Sequence, residues 1–315
     1  MARTGEADGG GPAYGRGMER LEASTRAIAE AAALARISET AASGPKQAAR
    51  AMWALGDYHR FATATVWGLG PELVAACRIG AGDRVLDVAA GTGNVALRAA
   101  ERGARVVASD LTPENFPAGQ SEARAMGVEL EWAEADAEAL PFADGTFDVV
   151  TSCLGAIFAP DQRAVAGEML RVCRPGGTIG MINFVPDGTA GAFFDLVARH
   201  APPPPAGAQP PTLWGSEAHV RDLFGDRVSS LEMTRRSYVE RSPGGGGAED
   251  YRELFKATFG PLVGLYASLA GEPERAAALD RDFLDFAERE NVAPPGSPAG
   301  YEYGYLLVVA RKRRA

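Results

Sequence analysis

The run Arg84-Val85-Leu86-Asp87-Val88-Ala89-Ala90-Gly91-Thr92-Gly93-Asn94-Val95-Ala96-Leu97 constrains this chain more than any other stretch, because an apolar strand passes through a glycine turn straight into a helix. Val85, Leu86 and Val88 send apolar side chains to both sides, as a strand of a parallel sheet covered by helices on both faces requires. Gly91 and Gly93 permit a sharp turn and a close backbone approach to a ligand. The helix that follows directs its first amides at whatever occupies the turn. Asp87, inside the strand, is a buried carboxylate, which is costly unless a ligand ammonium, a bound water or loop amides satisfy it.

The same grammar repeats downstream. The first helix closes at Gly103, and a strand over Arg105–Ser109 finishes at Asp110. Thr112 and Pro113 read as the cap and first position of the next helix. Val128 to Asp136 reads as strand three, Phe147 to Ser152 as strand four, and Asp161 to Cys173 as a helix stopped by Pro175-Gly176-Gly177, with Thr178 to Phe184 as strand five. Such an alternation predicts an α/β fold with a doubly wound, mostly parallel sheet and right-handed crossovers. Seven strands are expected once Val228–Val239 and Tyr301–Ala310 are added. Between those last two strands, Tyr251, Leu254 and Phe255, then Leu262, Leu265, Tyr266 and Leu269, then Leu279, Phe283 and Phe286 recur at helical spacing and predict a helical lid over about 248–292.

At the other end, residues 1–17 read as a disordered tail without the apolar core of a signal peptide, and Met18 to Ser43 as a helix. The expected organisation is a tail and N-terminal helix over 1–48, a cofactor-binding core over 49–185, and a substrate-side segment over 186–315 that carries the lid and the closing strands of the same sheet.

A net charge of −9 argues against a nucleic-acid partner and an anionic membrane surface. The basic run Arg311-Lys312-Arg313-Arg314 reads as a solvated end of the last strand. No apolar run reaches the ~20 residues that a membrane span needs. Cys77, Cys153 and Cys173 are too scattered for a disulfide framework or a zinc site, so no metal is expected and a reducing, cytoplasmic setting is the simplest inference.

Taken alone, Gly91-x-Gly93-x-x-Ala96 also fits a dinucleotide fingerprint. Asp110 stands nineteen positions after Gly91, at the end of the second strand, where a carboxylate accepts hydrogen bonds from two ribose hydroxyls. Together with Ala108-Ser109-Asp110, Ala135-Asp136-Ala137-Glu138-Ala139-Leu140-Pro141-Phe142, Phe147-Asp148-Val149-Val150 and Arg174-Pro175-Gly176-Gly177-Thr178, the turn resembles the class I S-adenosylmethionine-dependent methyltransferases over about residues 50–185. Met52 to Tyr58, Phe158-Ala159-Pro160-Asp161-Gln162 and Leu213-Trp214-Gly215 further resemble an actinobacterial branch of small-molecule methyltransferases, mostly of unassigned substrate.

The resemblance implies that Gly91 and Gly93 pass against the amino-acid moiety of S-adenosylmethionine, that Asp110 binds its ribose, and that Asp136 with Ala137 meets the adenine edge. Ser152 and Cys153 flank the methionine part, and Ala89, Asn94 and Leu111 complete the cofactor-binding set.

Methyl transfer is an in-line displacement at an activated sulfonium carbon, for which holding donor and acceptor at near-attack distance supplies much of the acceleration. The tip of strand four, Ser152-Cys153-Leu154-Gly155-Ala156, lacks the acid or histidine that many relatives place there, so no base carries over. Of three histidines, His59 is the candidate base, while His200 and His219 read as structural or solvated. Tyr58 is a candidate for cofactor contact. Trp53, Trp67, Trp214, Phe255, Phe259 and Tyr266 are candidates for an acceptor pocket, against core packing as the plainer role of each.

Cys153 has nothing near it in sequence to lower its thiol pKa. The expectation is therefore methyl transfer from S-adenosylmethionine to a small, largely apolar molecule at oxygen, nitrogen or carbon. The alternatives are a protein that keeps this cofactor but catalyses a non-methylation reaction such as cyclisation, or a nicotinamide-dependent oxidoreductase. The expected partner is a small-molecule acceptor, with no nucleic acid and no membrane, and a homodimer stays open.

Overall fold

The computed structural model describes residues 44–204 and 207–314. The tail and helix expected over 1–43 lie outside them. Seven strands form one sheet in the order β3-β2-β1-β4-β5-β7-β6. They are β1 (Arg84–Val88), β2 (Arg105–Asp110), β3 (Glu131–Glu134), β4 (Phe147–Cys153), β5 (Cys173–Phe184), β6 (Val228–Arg241) and β7 (Gly300–Lys312). Only β7 runs against its neighbours: Ile182 faces Leu307 across the β5 pair, and Thr234 faces the same Leu307 across the β6 pair. The doubly wound, mostly parallel fold predicted from the strand and helix alternation is the observed one.

Side-chain alternation sorts the core onto two faces. Leu86, Val88, Val150, Met181 and Val308 point to one side, where Val165, Met169, Phe224 and the fully buried Trp214 cover them. Val85, Val106, Val149, Ile182 and Leu307 point to the other, beneath Leu69, Leu73, Val95 and Ala99. β1 lies inside the sheet between β2 and β4 and buries both faces, as its near-continuous apolar sequence demands.

Three readings need correction. Strand three pairs only over Glu131–Glu134, where Val107 to Asp110 supply the partner positions, and not over the whole of Val128–Asp136. Asp136 instead makes an isolated bridge with Ala139. Thr112 does not cap with its side chain; Pro113–Asn115 is a single 3-10 turn, and the long helix begins at Phe116. Pro175-Gly176-Gly177 does end the preceding helix, Gln162–Val172, but the chain is already paired there: Cys173 faces Phe147 and Thr178 faces Val149, so the extra residues form a bulge.

Beyond the sheet, three helices over Ala248–Thr258, Gly260–Ser268 and Pro273–Arg289 occupy the connection between β6 and β7. They pack Tyr251, Phe255, Leu262, Leu265, Phe283 and Phe286 against Phe61 and Phe193, the latter from the helix Gly188–His200. Among the described residues no helix is long and apolar enough to cross a membrane.

Candidate functional site

The carboxyl ends of β1, β2 and β4 open into a cleft of about 760 Å³. Its walls include Ala89, Gly91, Asp110, Leu111, Asp136 and Ala137, and Tyr58 and Trp53 close it from the N-terminal side. A cleft outside the carboxyl ends of strands, where the strand order reverses, is where the open α/β architecture places ligands.

Two strand ends are held in an unusual backbone state. Ala89 and Leu154 have φ of 54° and 58°, a left-handed conformation that side chains disfavour. Gly155 fits against them so closely that a Cβ there would stand 2.2 Å from the Ala89 carbonyl oxygen. Gly91 shows why its position requires glycine: at φ 57° an added Cβ would lie 2.5 Å from Tyr58 Cε1. Gly93, also left-handed, sits at the helix start of Asn94–Glu101, and its close neighbour is Trp132.

The carboxylates divide the labour. Asp110 Oδ2 accepts from the Gly91 amide at 2.7 Å and Oδ1 from the Thr112 amide at 2.8 Å. Burial pushes its pKa up, and these amide bonds oppose the shift. The Leu111 amide and the Thr112 hydroxyl also bond to this carboxylate, which still lines the cleft. Asp136 Oδ1 accepts from the Glu138 amide at 2.9 Å and from Lys46 Nζ at 2.8 Å. Lys46 also pairs with Glu138, and Arg50 grips Glu114 and Glu134, so the helix Pro45–Trp53 is clasped over this end of the cleft.

Asp87 is satisfied from within the protein: the Thr151 hydroxyl donates to Oδ1 at 2.9 Å and the Ala96 amide to Oδ2 at 3.1 Å. Burial nevertheless raises its carboxyl to about 7. The folded chain therefore holds this proton more tightly than the unfolded one, and the associated stability is full at acid pH and is lost as pH rises through about 7. Thermal unfolding of Asp87→Asn across pH 5 to 8 should show a smaller loss of stability with rising pH than the wild type, and an identical slope would exclude the assignment.

Cys153 lines the small crevice beside Asp87 and Asn94, and burial drives its thiol far upward, which removes it as a nucleophile. Ser152 Oγ accepts from the Ala156 amide at 3.0 Å. Asn94 Nδ2 donates to the Val66 carbonyl at 3.0 Å and its Oδ1 has no partner.

A second cavity of about 540 Å³ opens from the first, and Trp53, Tyr58, Leu154 and Phe158 belong to both. Phe255 and Phe259, proposed from sequence, line it, as do Phe61, Phe184, Phe193 and Phe194. The other aromatic candidates lie elsewhere. Trp214 is fully buried in the core cluster beside Phe224 and lines neither cavity. The Tyr266 hydroxyl donates to Asp280 at 2.8 Å, with Lys256 Nζ 4.3 Å from its ring centre. Trp67 meets His59 edge-on at 5.5 Å.

His59 itself has Nδ1 3.3 Å from Thr92 Oγ1 and lines neither cavity. His200 pairs with Asp282 at 2.9 Å, and His219 with Gln162 at 2.7 Å. Among the described residues the one ionisable carboxyl on the aromatic cavity is Glu240, which the sequence reading did not single out. The available signal was strand periodicity: Tyr238 and Glu240, then Tyr301, Tyr303 and Tyr305, alternate along β6 and β7.

Fold and cleft together define a doubly wound α/β protein with an open cleft at the carboxyl ends of its strands beside an apolar chamber. Residues 85–177 match the family described as a methyltransferase domain. Uncharacterized protein Rv1405c of Mycobacterium tuberculosis is 45% identical over 265 residues, covering 84% of this chain and 94% of that protein. The demethylmenaquinone methyltransferase of Thermus thermophilus is 44% identical over 112 residues, which is 35% of this chain and 50% of that enzyme. The YcgJ protein of Bacillus subtilis superposes with a TM-score of 0.53 at 19% identity, covering 79% of this chain and 98% of that one, and shares the fold. The chain belongs to the S-adenosylmethionine-dependent methyltransferases, in company with the mycobacterial proteins. Family membership sets aside the nicotinamide alternative.

Proposed function

We propose that this methyltransferase transfers the methyl group of S-adenosylmethionine to a small, largely apolar molecule held in the aromatic cavity. The observation that carries the proposal is the shared wall of Trp53, Tyr58, Leu154 and Phe158, which makes the polar cleft and the apolar chamber two ends of one space. A chamber with this aromatic lining suits a compact apolar ligand.

S-adenosylmethionine supplies an activated methyl carbon on a sulfonium. The protein's part is to bind and aim. Asp110, on the cleft wall, would accept from the ribose hydroxyls, and Asp136 with Ala137 would meet the adenine edge. The turn at Gly91 and Gly93 admits the amino-acid end beneath Tyr58. Burial keeps the Tyr58 hydroxyl protonated, so it serves as a hydrogen-bond donor there. The lid helices and the helix bearing Phe193 exclude water from the acceptor, and the in-line approach gains from that fixed geometry an effect of ~7–11 kcal/mol at most.

Calorimetric titration with S-adenosylmethionine and S-adenosylhomocysteine is the test. Binding of both in the micromolar range is expected, and absence of binding would overturn the proposal.

A further inference from the structure

The aromatic chamber has one polar corner. On β6, Tyr238 and Glu240 face the same way, and on β7 Tyr301 and Tyr303 face them across the pair, with Glu240 opposite Tyr301. Glu240 is only 4% exposed and lines the chamber, as does Tyr303. The Tyr251 hydroxyl donates to Glu240 Oε1 at 3.0 Å and the Tyr238 hydroxyl to Oε2 at 3.4 Å. Tyr251 and Tyr303 are joined at 2.9 Å, and because the Tyr251 proton is committed to Glu240, Tyr303 donates in that pair. The order of the chain is thus Tyr303 to Tyr251 to Glu240, and both of its ends belong to the chamber wall.

A buried carboxyl of this kind ordinarily has a cationic partner, yet among the described residues the chamber lining holds no Lys, Arg or His. Phenols hold it from behind, and two acceptor directions of the carboxyl stay free. Resting on the reading of this chamber as the acceptor site, we propose that Glu240 is a catalytic residue that binds the reacting hydroxyl of a planar, otherwise apolar phenol or enol and accepts its proton. As the acceptor oxygen forms its bond to the methyl carbon, the carbon–sulfur bond breaks with its electron pair left on sulfur. The hydroxyl proton passes to a Glu240 oxygen. A sulfonium, a neutral hydroxyl and a carboxylate become a thioether, a methyl ether and a carboxylic acid, and the acid later returns its proton to water.

A hydroxyl fits better than an amine. A phenol enters an apolar chamber uncharged and offers a carboxylate a more acidic proton than an uncharged arylamine does, whereas an alkyl ammonium would give up its hydration with no standing negative charge to meet it. Burial holds the Glu240 carboxyl up at about 8, against the bonds from Tyr251 and Tyr238. The titratable groups around it are Tyr238 on its own strand, Tyr251 from the first lid helix, Tyr301 and Tyr303 from β7, and Tyr58 across the chamber. All are driven upward by burial, and Glu290, beyond Tyr303, accepts from Thr189 at 3.2 Å. Glu240 is therefore the group here that changes charge near neutral pH, in the range suited to a general base.

The full-length protein saturated with S-adenosylhomocysteine is titrated with 2-naphthol, 2-methylnaphthalene and 2-naphthylamine as probes. The wild type should bind 2-naphthol at least about tenfold more tightly than 2-methylnaphthalene, and Glu240→Gln, which keeps the volume, should reduce that ratio below about threefold. Label transfer from methyl-labelled S-adenosylmethionine to 2-naphthol should rise with pH through about 8 and lose that limb in Glu240→Gln, with a fall of about a hundredfold in rate. Tyr303→Phe, which shortens the hydrogen-bond chain and keeps the carboxyl, should retain the pH limb.

Equal affinity for 2-naphthol and 2-methylnaphthalene, preference for 2-naphthylamine, or an unchanged ratio in Glu240→Gln overturns the proposal. So does label transfer without the alkaline rise. Failure of the wild type to bind S-adenosylhomocysteine would instead remove the functional reading beneath it.

Discussion

Asp110→Ala is expected to weaken S-adenosylhomocysteine binding tenfold to a hundredfold, about 1.5–3 kcal/mol, which is the range for losing charge-assisted hydrogen bonds to a ligand. The loss has two sources. The alanine offers no acceptor to ribose hydroxyls, and it leaves the Gly91 and Thr112 amides, now bonded to the carboxylate at 2.7 and 2.8 Å, without their partner. The turn beneath Tyr58 then has no anchor at its first glycine. Calorimetry of the variant beside the wild type, with the urea midpoint as a control for folding, reads both effects, and unchanged affinity would exclude Asp110 from the ribose site.

Trp214→Ala should do the reverse, lowering stability by ~3–5 kcal/mol while leaving ligand affinity in the folded fraction as it was. Trp214 is fully buried, packs with Phe224 and Val220, and lines neither cavity. Its indole nitrogen has no hydrogen-bond partner, so the stabilisation comes from apolar contact. Trp214→Phe should accordingly cost much less than the alanine. Denaturant titration measures the difference, and a loss below about 1 kcal/mol for Trp214→Ala would contradict the packing described here.

These two residues also mark what was legible in the sequence. Asp110 could be found because the donor half of the site is local: a strand, a glycine turn and the end of the next strand fix its position relative to Gly91 within a short span. The same locality made the five parallel strands readable, apart from β3, whose apolar alternation extends past the four residues that find a partner. Trp214 was placed with the acceptor residues on aromatic character alone. Aromatic character does not say which face of the sheet a loop residue covers, and that depends on how Pro211–Gly215 crosses over Phe184 and Val185.

His59 illustrates a related limit. Its neighbour Tyr58 reaches the cleft, but on a helix successive residues diverge by about a quarter turn, and His59 faces Thr92 and Trp67 instead. Glu240 stayed hidden for a different reason. Its partners come from strands and a helix separated along the chain, with Tyr251 eleven and Tyr303 sixty-three positions away (303 − 240), and only the pairing of β6 with β7 assembles them.

That pairing has a consequence for how such an enzyme could change its clientele. Arg241 and Gly300 are directly opposite in the ladder, and the Ser242 amide bonds to the Ala299 carbonyl at 2.9 Å, so the chain leaves the sheet and re-enters it at one point. The segment between them is a cassette with adjoining ends. Replacing it would redraw the greasy walls contributed by Phe255 and Phe259, and Glu240 and Tyr303, on the hairpin rungs outside the cassette, would stay in register, but the graft would have to supply again the phenol of Tyr251 that bonds to both. Retargeting by graft is thus separable from the donor turn at Gly91, and leaves the hairpin chemistry intact only where the position of Tyr251 is kept.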